Sequence, residues 1–299
     1  MPHRPSLFSW FLLLAASPLL FGSNVLTARF VAGEIPAVAM AFWRWALALL
    51  ILAPFIRHEL IAGWPELRRD WRGFLLLGAL GMGICGAPVY LAGQTTTATN
   101  ISLIYASAPV LIVLYGRLFW RERVSDIQAT GVAVSLAGVV TVIAKGDPKA
   151  LLHLHFTAGD LWIVLAANGW AFYSLLLRHR ASGLTPFARF SGICAGGVVA
   201  MLPFYGLEIG VGQVVDGSVR TIATLFFLAL VPGLASYLVY GRLVTVFGPG
   251  RAGMTLYLTP LYNAALAALL LGERLEGFHL AGMALVLPGI WLATRRPAQ

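Results

Sequence analysis

From Leu7 to Thr294 the chain is almost wholly a series of apolar stretches about 20 residues long, with its charges, Arg44 apart, confined to the ends of those stretches and the short segments between them. A helix of that length matches the hydrocarbon thickness of a bilayer, because about 20 residues at about 1.5 Å each span about 30 Å. The stretches fall at Leu7–Phe30, Pro36–Ile56, Gly73–Gln94, Ala98–Leu118, Asp126–Ala144, Ala158–Leu177, Pro186–Leu207, Thr221–Arg242, Arg251–Leu271 and Gly277–Thr294. The expectation is an all-α integral membrane protein with ten transmembrane helices. A composition of 59% hydrophobic and 11% charged residues agrees, being far from that of a soluble chain. The first stretch exceeds the apolar core of a signal peptide and leads directly into further spans, so it is expected to be retained.

The formal charge of +9 is explained by where the cations lie. With the N-terminus inside, the inner segments hold Arg4, Arg57, Arg68, Arg69, Arg72, Arg117, Arg121, Arg123, Arg178, Arg180, Arg189, Arg242, Arg251, Arg295 and Arg296. The outer segments hold only Arg29, Lys145, Lys149, Arg220 and Arg274. Cationic loops collect on the cytoplasmic side, so both termini are expected there, and a nucleic-acid footprint is not needed to account for the charge. Cys85 and Cys194 both fall inside predicted helices, where a thiol behaves as a small hydrophobe, which supports neither a disulfide framework nor a metal site.

The chain is doubled. "APVLIVLYGRLFWRER" (108–123) and "TPLYNAALAALLLGER" (259–274) each carry a proline and close on Glu-Arg. One constant spacing relates Pro109 to Pro260, Glu122 to Glu273, Arg123 to Arg274, Gly131 to Gly282 and Gly138 to Gly289. The expected units are 1–148 and 149–299, five helices each, within one membrane domain. An odd number of helices makes the second copy enter the bilayer the other way up, giving a 5+5 inverted-topology repeat. That architecture belongs to transporters, where two exchanging halves give alternating access to a site at their interface. A pore or a non-transporting membrane subunit is the rival.

These residues resemble a known family, the EamA-type transporters of the drug/metabolite transporter superfamily. The resemblance rests on "LLFGSNVLTAR" in helix 1, on "ATNISLIYASAPVLIVLYGRLFWRERVSDIQATGVAVSLAGVV" in helices 4 and 5, and on "LTPLYNAALAALLLGERLEGFHLAGMALVLPGI" in helices 9 and 10. Within that family the chain is most similar to bacterial aromatic amino acid exporters, a subgroup that also exports methyl viologen. The resemblance implies a multi-pass protein of the bacterial inner membrane, exporting aromatic and other neutral amino acids and related metabolites, with no cofactor. It also implies that helices 3, 4, 8 and 9 surround the site while helices 1, 2, 6 and 7 tilt. Organic cations and phosphorylated metabolites are the alternative cargoes. The partners implied are a small-molecule substrate and the lipid bilayer, and monomer and homodimer both remain open.

Interrupted helices at corresponding places in the two halves point to a site. Pro88 in helix 3 answers to Pro232 and Gly233 in helix 8, and Pro109 in helix 4 to Pro260 in helix 9. A proline within a helix leaves a carbonyl to be satisfied by a neighbour, water or ligand, although a packing kink needs no ligand. Polar and aromatic side chains gather on faces of these helices: Asn24 on helix 1, Tyr90 on helix 3, Ser102 and Tyr105 on helix 4, Trp162 and Tyr173 on helix 6, Tyr237 and Tyr240 on helix 8, and Thr259 on helix 9. Together they form candidate substrate contacts, each tyrosine having an interface or packing role as its alternative. Trp10, Trp64, Trp71, Trp120 and Trp291 lie near span ends and read as interface anchors.

Only Arg44, in "FWRWA", lies well inside a span. A charge there costs roughly 2.5–3.5 kcal/mol on insertion scales, which marks it either as a partner for a substrate carboxylate or as a structural residue below the outer interface beside Trp43 and Trp45, snorkelling upward or clamping helix-end carbonyls. No Asp or Glu lies deep in a predicted span, which argues against a carboxylate-based proton antiporter. Glu122 and Glu273 are expected to cap loops or pair with arginines. No titratable cluster of the kind an enzyme needs is legible, and His153 and His155 lack further ligands for a metal.

Overall fold

The computed structural model describes residues 7–31, 33–96, 101, 104–153, 157–259, 261–262 and 276–294. The described chain is helical, and the helices are numbered here in order. Helix α1 covers Leu7–Phe30, α2 Ala37–Leu52 and α3 Arg57–Arg69. Next come α4 (Trp71–Gly78), a π-helical segment (Ala79–Ile84) and α5 (Ala87–Thr95), then α6 (Ala108–Trp120) and α7 (Asp126–Ile143). After a 3-10 turn at Pro148–His153 follow α8 (Ala158–His179) and α9 (Pro186–Gly210). Helix α10 (Val219–Leu228) enters a second π-helical segment (Ala229–Ala235) and continues as α11 (Ser236–Phe247). Short α12 (Pro249–Met254), a 3-10 turn (Thr255–Leu258) and α13 (Gly277–Thr294) complete it.

Among the described residues, four continuous or broken helices are long and apolar enough to cross a bilayer: Trp71–Thr95, Ala158–His179, Pro186–Gly210 and Val219–Phe247. A fifth would join α2 to α3, but these meet at 117°. Helix α3 carries Arg57, Glu59, Glu66, Arg68 and Arg69 and buries no residue, so it is a surface helix rather than a continuation of α2. The sequence reading treated this stretch as loop. Its two carboxylates and that of Asp70, which caps it, stand at helical spacing and all accept hydrogen bonds from the segment between α8 and α9. Glu59 accepts from the Thr185 hydroxyl, Glu66 from the Ser182 hydroxyl at 2.7 Å and the Gly183 N–H at 3.1 Å, and Asp70 from Arg180 at 2.5 Å.

Four helix starts are capped by local side chains. The Ser125, Thr185 and Ser218 hydroxyls accept from the N–H groups of Gln128, Ala188 and Thr221, and Thr157 with Asp160 forms a capping box at α8. Helix α2 has Pro36 at its cap position and no local cap. Instead Glu208, buried in the last turn of α9, accepts from Val38 N–H at 3.0 Å and Ala39 N–H at 2.6 Å. A carboxylate at a helix N-terminus satisfies free donors and the positive end of the dipole together. Glu208→Ala is therefore expected to lower stability by about 1.5–3 kcal/mol, with Glu208→Gln losing less, read as a shift in thermal unfolding of the detergent-solubilised protein.

The core lies where α9 packs on α2, α4 and the first π segment, and where α8 packs on α5 and α6. Helices α7 and α13 pair at one side. A Cβ on Gly131 would meet the Gly289 carbonyl oxygen at 2.6 Å, and one on Gly138 the Gly282 carbonyl oxygen at 2.8 Å. Contacts of 131 with 289 and 138 with 282 make the crossing antiparallel. The repeat spacing maps the contact of 131 with 289 onto that of 282 with 138, as a two-fold between two copies requires.

Two expectations about breaks need correction. Pro109 does not interrupt a helix: it lies in the first turn of α6, after a turn at Ala106–Ser107, where its missing N–H costs nothing. Pro88 likewise opens α5 after the break at Gly86. Pro232 is interior, within the second π segment. Pro260, Glu273 and Arg274 lie outside the described residues. Glu122 pairs with His179, not an arginine: the two are 2.7 Å apart, and Trp120 stacks on the imidazole at 5.4 Å.

Candidate functional site

The two π segments correspond under the repeat spacing, Gly81 falling where Pro232 falls. In each, a backbone N–H reaches back five residues instead of four: Cys85 N–H to the Leu80 carbonyl at 3.2 Å, and Ser236 N–H to the Val231 carbonyl. Carbonyls in these segments are then open to side chains. Arg44 Nη2 donates to the Pro232 carbonyl at 2.6 Å, and the next residue, Trp45, donates from Nε1 to the Met82 carbonyl at 3.1 Å. The Tyr237 hydroxyl donates to the Gly81 carbonyl at 2.5 Å. Adjacent residues of α2 thus tie the broken helix of each half.

Arg44 is 2% exposed, so it does not snorkel to an interface. Its Nη1 donates to Asn24 Oδ1 at 2.9 Å and to the Tyr90 hydroxyl at 3.1 Å, while Tyr90 donates to the same Asn24 oxygen at 2.8 Å. The guanidinium lies 4.4 Å from the Trp45 ring centroid and 5.9 Å from that of Tyr237, geometry in which the ring quadrupoles favour a cation. These contacts are all neutral. No carboxylate pairs with Arg44 among the described residues, and its Nε–H has no partner. An isolated charge removed from water is costly, and an anion supplied from outside offsets that cost.

Such an anion has somewhere to sit. Arg44 and Asn24 line a cavity of about 90 Å³ with Phe21, Cys85, Tyr105, Pro109, Trp170, Tyr237, Tyr257, Thr259 and several aliphatic residues. The described lining includes no carboxylate. The Tyr257 hydroxyl is buried there without a hydrogen-bond partner among the described residues, a second polar atom left for a ligand to meet. At about 30 Å³ per water, the cavity between the described residues holds about three waters.

The structure gathers Asn24, Arg44, Tyr105, Tyr237 and Thr259 on this cavity, with Tyr90 bonded to the first two. Tyr240 lies one layer behind, its hydroxyl 2.8 Å from that of Ser174 and its ring 4.6 Å from Trp170. Tyr173 faces a neighbouring cavity. Trp162 is 42% exposed and lines no part of the site. The buried arc of α8 is centred on Ile163, Ala167, Trp170 and Ser174, and Trp162 lies on its flank. Ser102 lies outside the described residues. Sequence reasoning missed Trp170, Tyr257 and Cys85 as lining, and Trp45, cited there as company for a snorkelling Arg44, is fully buried. The 3.6-residue spacing through 163, 166, 167, 170, 173 and 174 was the available signal for Trp170.

Comparison with known proteins gives a consistent picture. A transporter of Archaeoglobus fulgidus, described as uncharacterized, is 26% identical over 293 residues, covering 96% of this chain and 98% of its own. A probable terminal-alkyne amino-acid exporter of Streptantibioticus cattleyicolor is 28% identical over 234 residues, 76% of this chain and 74% of its own. A probable amino-acid metabolite efflux pump of Escherichia coli is 26% identical over 201 residues, 64% of this chain and 65% of its own. A solved crystal structure superposes with a TM-score of 0.74 at 18% identity, covering 97% of both chains, which shows the fold alone. The family model for EamA-like transporters matches twice, over residues 8–144 and 157–295. With that signature running through nearly its whole length, the chain belongs to the EamA-like transporter family and is a multi-pass membrane transporter, not an enzyme.

Proposed function

We propose that this protein exports neutral amino acids, aromatic ones included, and related metabolites across the bacterial inner membrane by alternating access. The observation that carries this is the buried Arg44, unpaired by any described carboxylate and set at the edge of an aromatic cavity. A zwitterion supplies what that site lacks: a carboxylate for the guanidinium and a side chain for the rings, with its ammonium group set against ring faces and hydroxyls. Relatives described as amino-acid exporters support the class. A free organic cation is disfavoured by a fixed cation in the wall, and a phosphorylated cargo needs more cations than one.

In this reading the chain has ten spans as two inverted repeats, 1–148 and 149–299, with both termini cytoplasmic. The segments between α2 and α4 and between α8 and α9 then face the cytoplasm. Proton antiport through a carboxylate has no support at the cavity. The buried Asp160 and Glu208 accept from Thr96 and Thr157, and from the start of α2, and neither lines it.

Counterflow in proteoliposomes tests the reading. Vesicles preloaded with unlabelled phenylalanine, threonine or methionine are expected to accumulate the labelled amino acid transiently and saturably, with the same rate whether or not a pH gradient is imposed. Absence of counterflow with every amino acid tried would remove the substrate assignment.

A further inference from the structure

A second cavity, of about 220 Å³, lies between α8, α9 and α11 at the end of the molecule that carries α3. Arg189, Arg242, Ser182 and Thr245 contribute its polar lining, and the described lining includes no carboxylate. One described side chain, Tyr237, borders both this cavity and the central one. Its ring is 4.7 Å from Trp45, 5.5 Å from Phe21 and from Trp170, and 5.8 Å from Tyr173, and its hydroxyl is held by the Gly81 carbonyl of the opposite repeat. Tyr237 is also the second residue after the second π segment, where the helix ladder is already loosened.

We propose that this second cavity is the cytoplasmic vestibule of the transport path, electropositive so as to collect carboxylate-bearing solutes, and that the Tyr237 ring is the gate closing it from the Arg44 cavity. The direction, from cytoplasm to site, rests on the export reading; the gate itself does not. Two guanidinium groups in a recess with low-dielectric walls raise the local concentration of anions. An anion that passes the ring arrives at Arg44, the next cation inward. Rotation of one aromatic side chain joins the two volumes.

Native Cys85 reports the state of the gate, because it lines the central cavity and is 5% exposed. In a Cys194→Ala background, a membrane-impermeant thiol reagent applied to the cytoplasmic face of inside-out vesicles should leave Cys85 unmodified. Tyr237→Phe keeps the ring and should keep the protection, whereas Tyr237→Ala should speed modification on the order of tenfold by populating an open path. Tyr237→Leu, which retains apolar contacts but not the full width of the ring, serves if the alanine variant fails to accumulate. Unchanged protection of Cys85 in both smaller variants overturns the gate, as does modification from the opposite face alone. The vestibule is read separately with Thr245→Cys in a background lacking the native cysteines. An anionic thiosulfonate should modify it faster than a cationic one, and equal or reversed rates overturn the anion-collecting role. None of these readings requires transport, so the export assignment and the gate fail independently.

Discussion

Arg44→Gln is expected to abolish amino-acid counterflow and to lower stability by about 3 kcal/mol or more. Three acceptors lose a charged donor at once: Asn24 Oδ1, the Tyr90 hydroxyl and the Pro232 carbonyl. A hydrogen bond to a charged group contributes about 1.5–3 kcal/mol, and a buried acceptor left alone costs a further share. For a folded variant, loss of the carboxylate contact alone should weaken binding by about 2–3 kcal/mol, roughly 30- to 150-fold in the half-saturating concentration. Arg44→Lys keeps the charge but not the planar fork that reaches α1, α5 and the second π segment together, so it should also fall well below the parent. The two roles separate in one pair of measurements. A variant that melts early yet keeps the parent's half-saturating concentration would show that Arg44 is a clamp and not a substrate contact.

Leucine at Gly131 or Gly282 is expected to prevent recovery of a folded, monodisperse protein, and the two substitutions should be about equally damaging. A Cβ on Gly131 would meet Ala293 N and the Gly289 carbonyl oxygen at 2.6 Å, and one on Gly282 would run into Val142 Cγ2 and meet the Gly138 carbonyl oxygen at 3.0 Å. Backbone atoms cannot rotate aside as a side chain can, so the helices must separate, at a cost of about 3 kcal/mol or more for overpacking. Close approach through small residues is what holds helices together where lipid surrounds both. Gly206→Leu is the control, since a Cβ there meets nothing within 4 Å. Size-exclusion profiles and thermal unfolding of the solubilised proteins read the difference. A well-folded Gly131→Leu beside an unfolded Gly282→Leu would argue against a two-fold relation at this crossing.

Where the membrane dictates structure, the sequence was informative. Apolar runs located α1, α2, α7, α8, α9 and α13 closely, because hydrocarbon leaves a long helix as nearly the only solution. The paired glycines of α7 and α13 were legible as a repeat before their contact was known. Helix α3 was not, since a charged stretch between spans reads equally well as loop until its carboxylates meet Thr185, Ser182 and Arg180. Pro109 and Pro88 were found as breaks but misplaced within them, because a proline marks an interruption without saying which side of it the helix resumes. At the site, helical spacing singled out Asn24, Tyr90 and Tyr237, and the lone charge inside a span singled out Arg44; on α8 spacing pointed to Trp162, which does not line the cavity, and passed over Trp170, which does. An arc of partly apolar residues inside a membrane protein has little contrast with the residues that face lipid. The role of Glu208 was invisible, since its partners at Val38 and Ala39 are remote in the chain and are backbone groups.

The tie that Arg44 makes to Pro232 also bears on how the protein is made. A ribosome delivers α2 well before it delivers residue 232, so during synthesis the guanidinium lies in the membrane with only Asn24 and Tyr90 to receive its protons. Trp45, by contrast, finds its acceptor, Met82, within the same half. The newly inserted N-terminal half is thus complete at one of these two adjacent residues and incomplete at the other, and it stays provisional until the C-terminal half arrives. Severed halves of this chain should accordingly be short-lived when produced singly and persist when produced together in one cell.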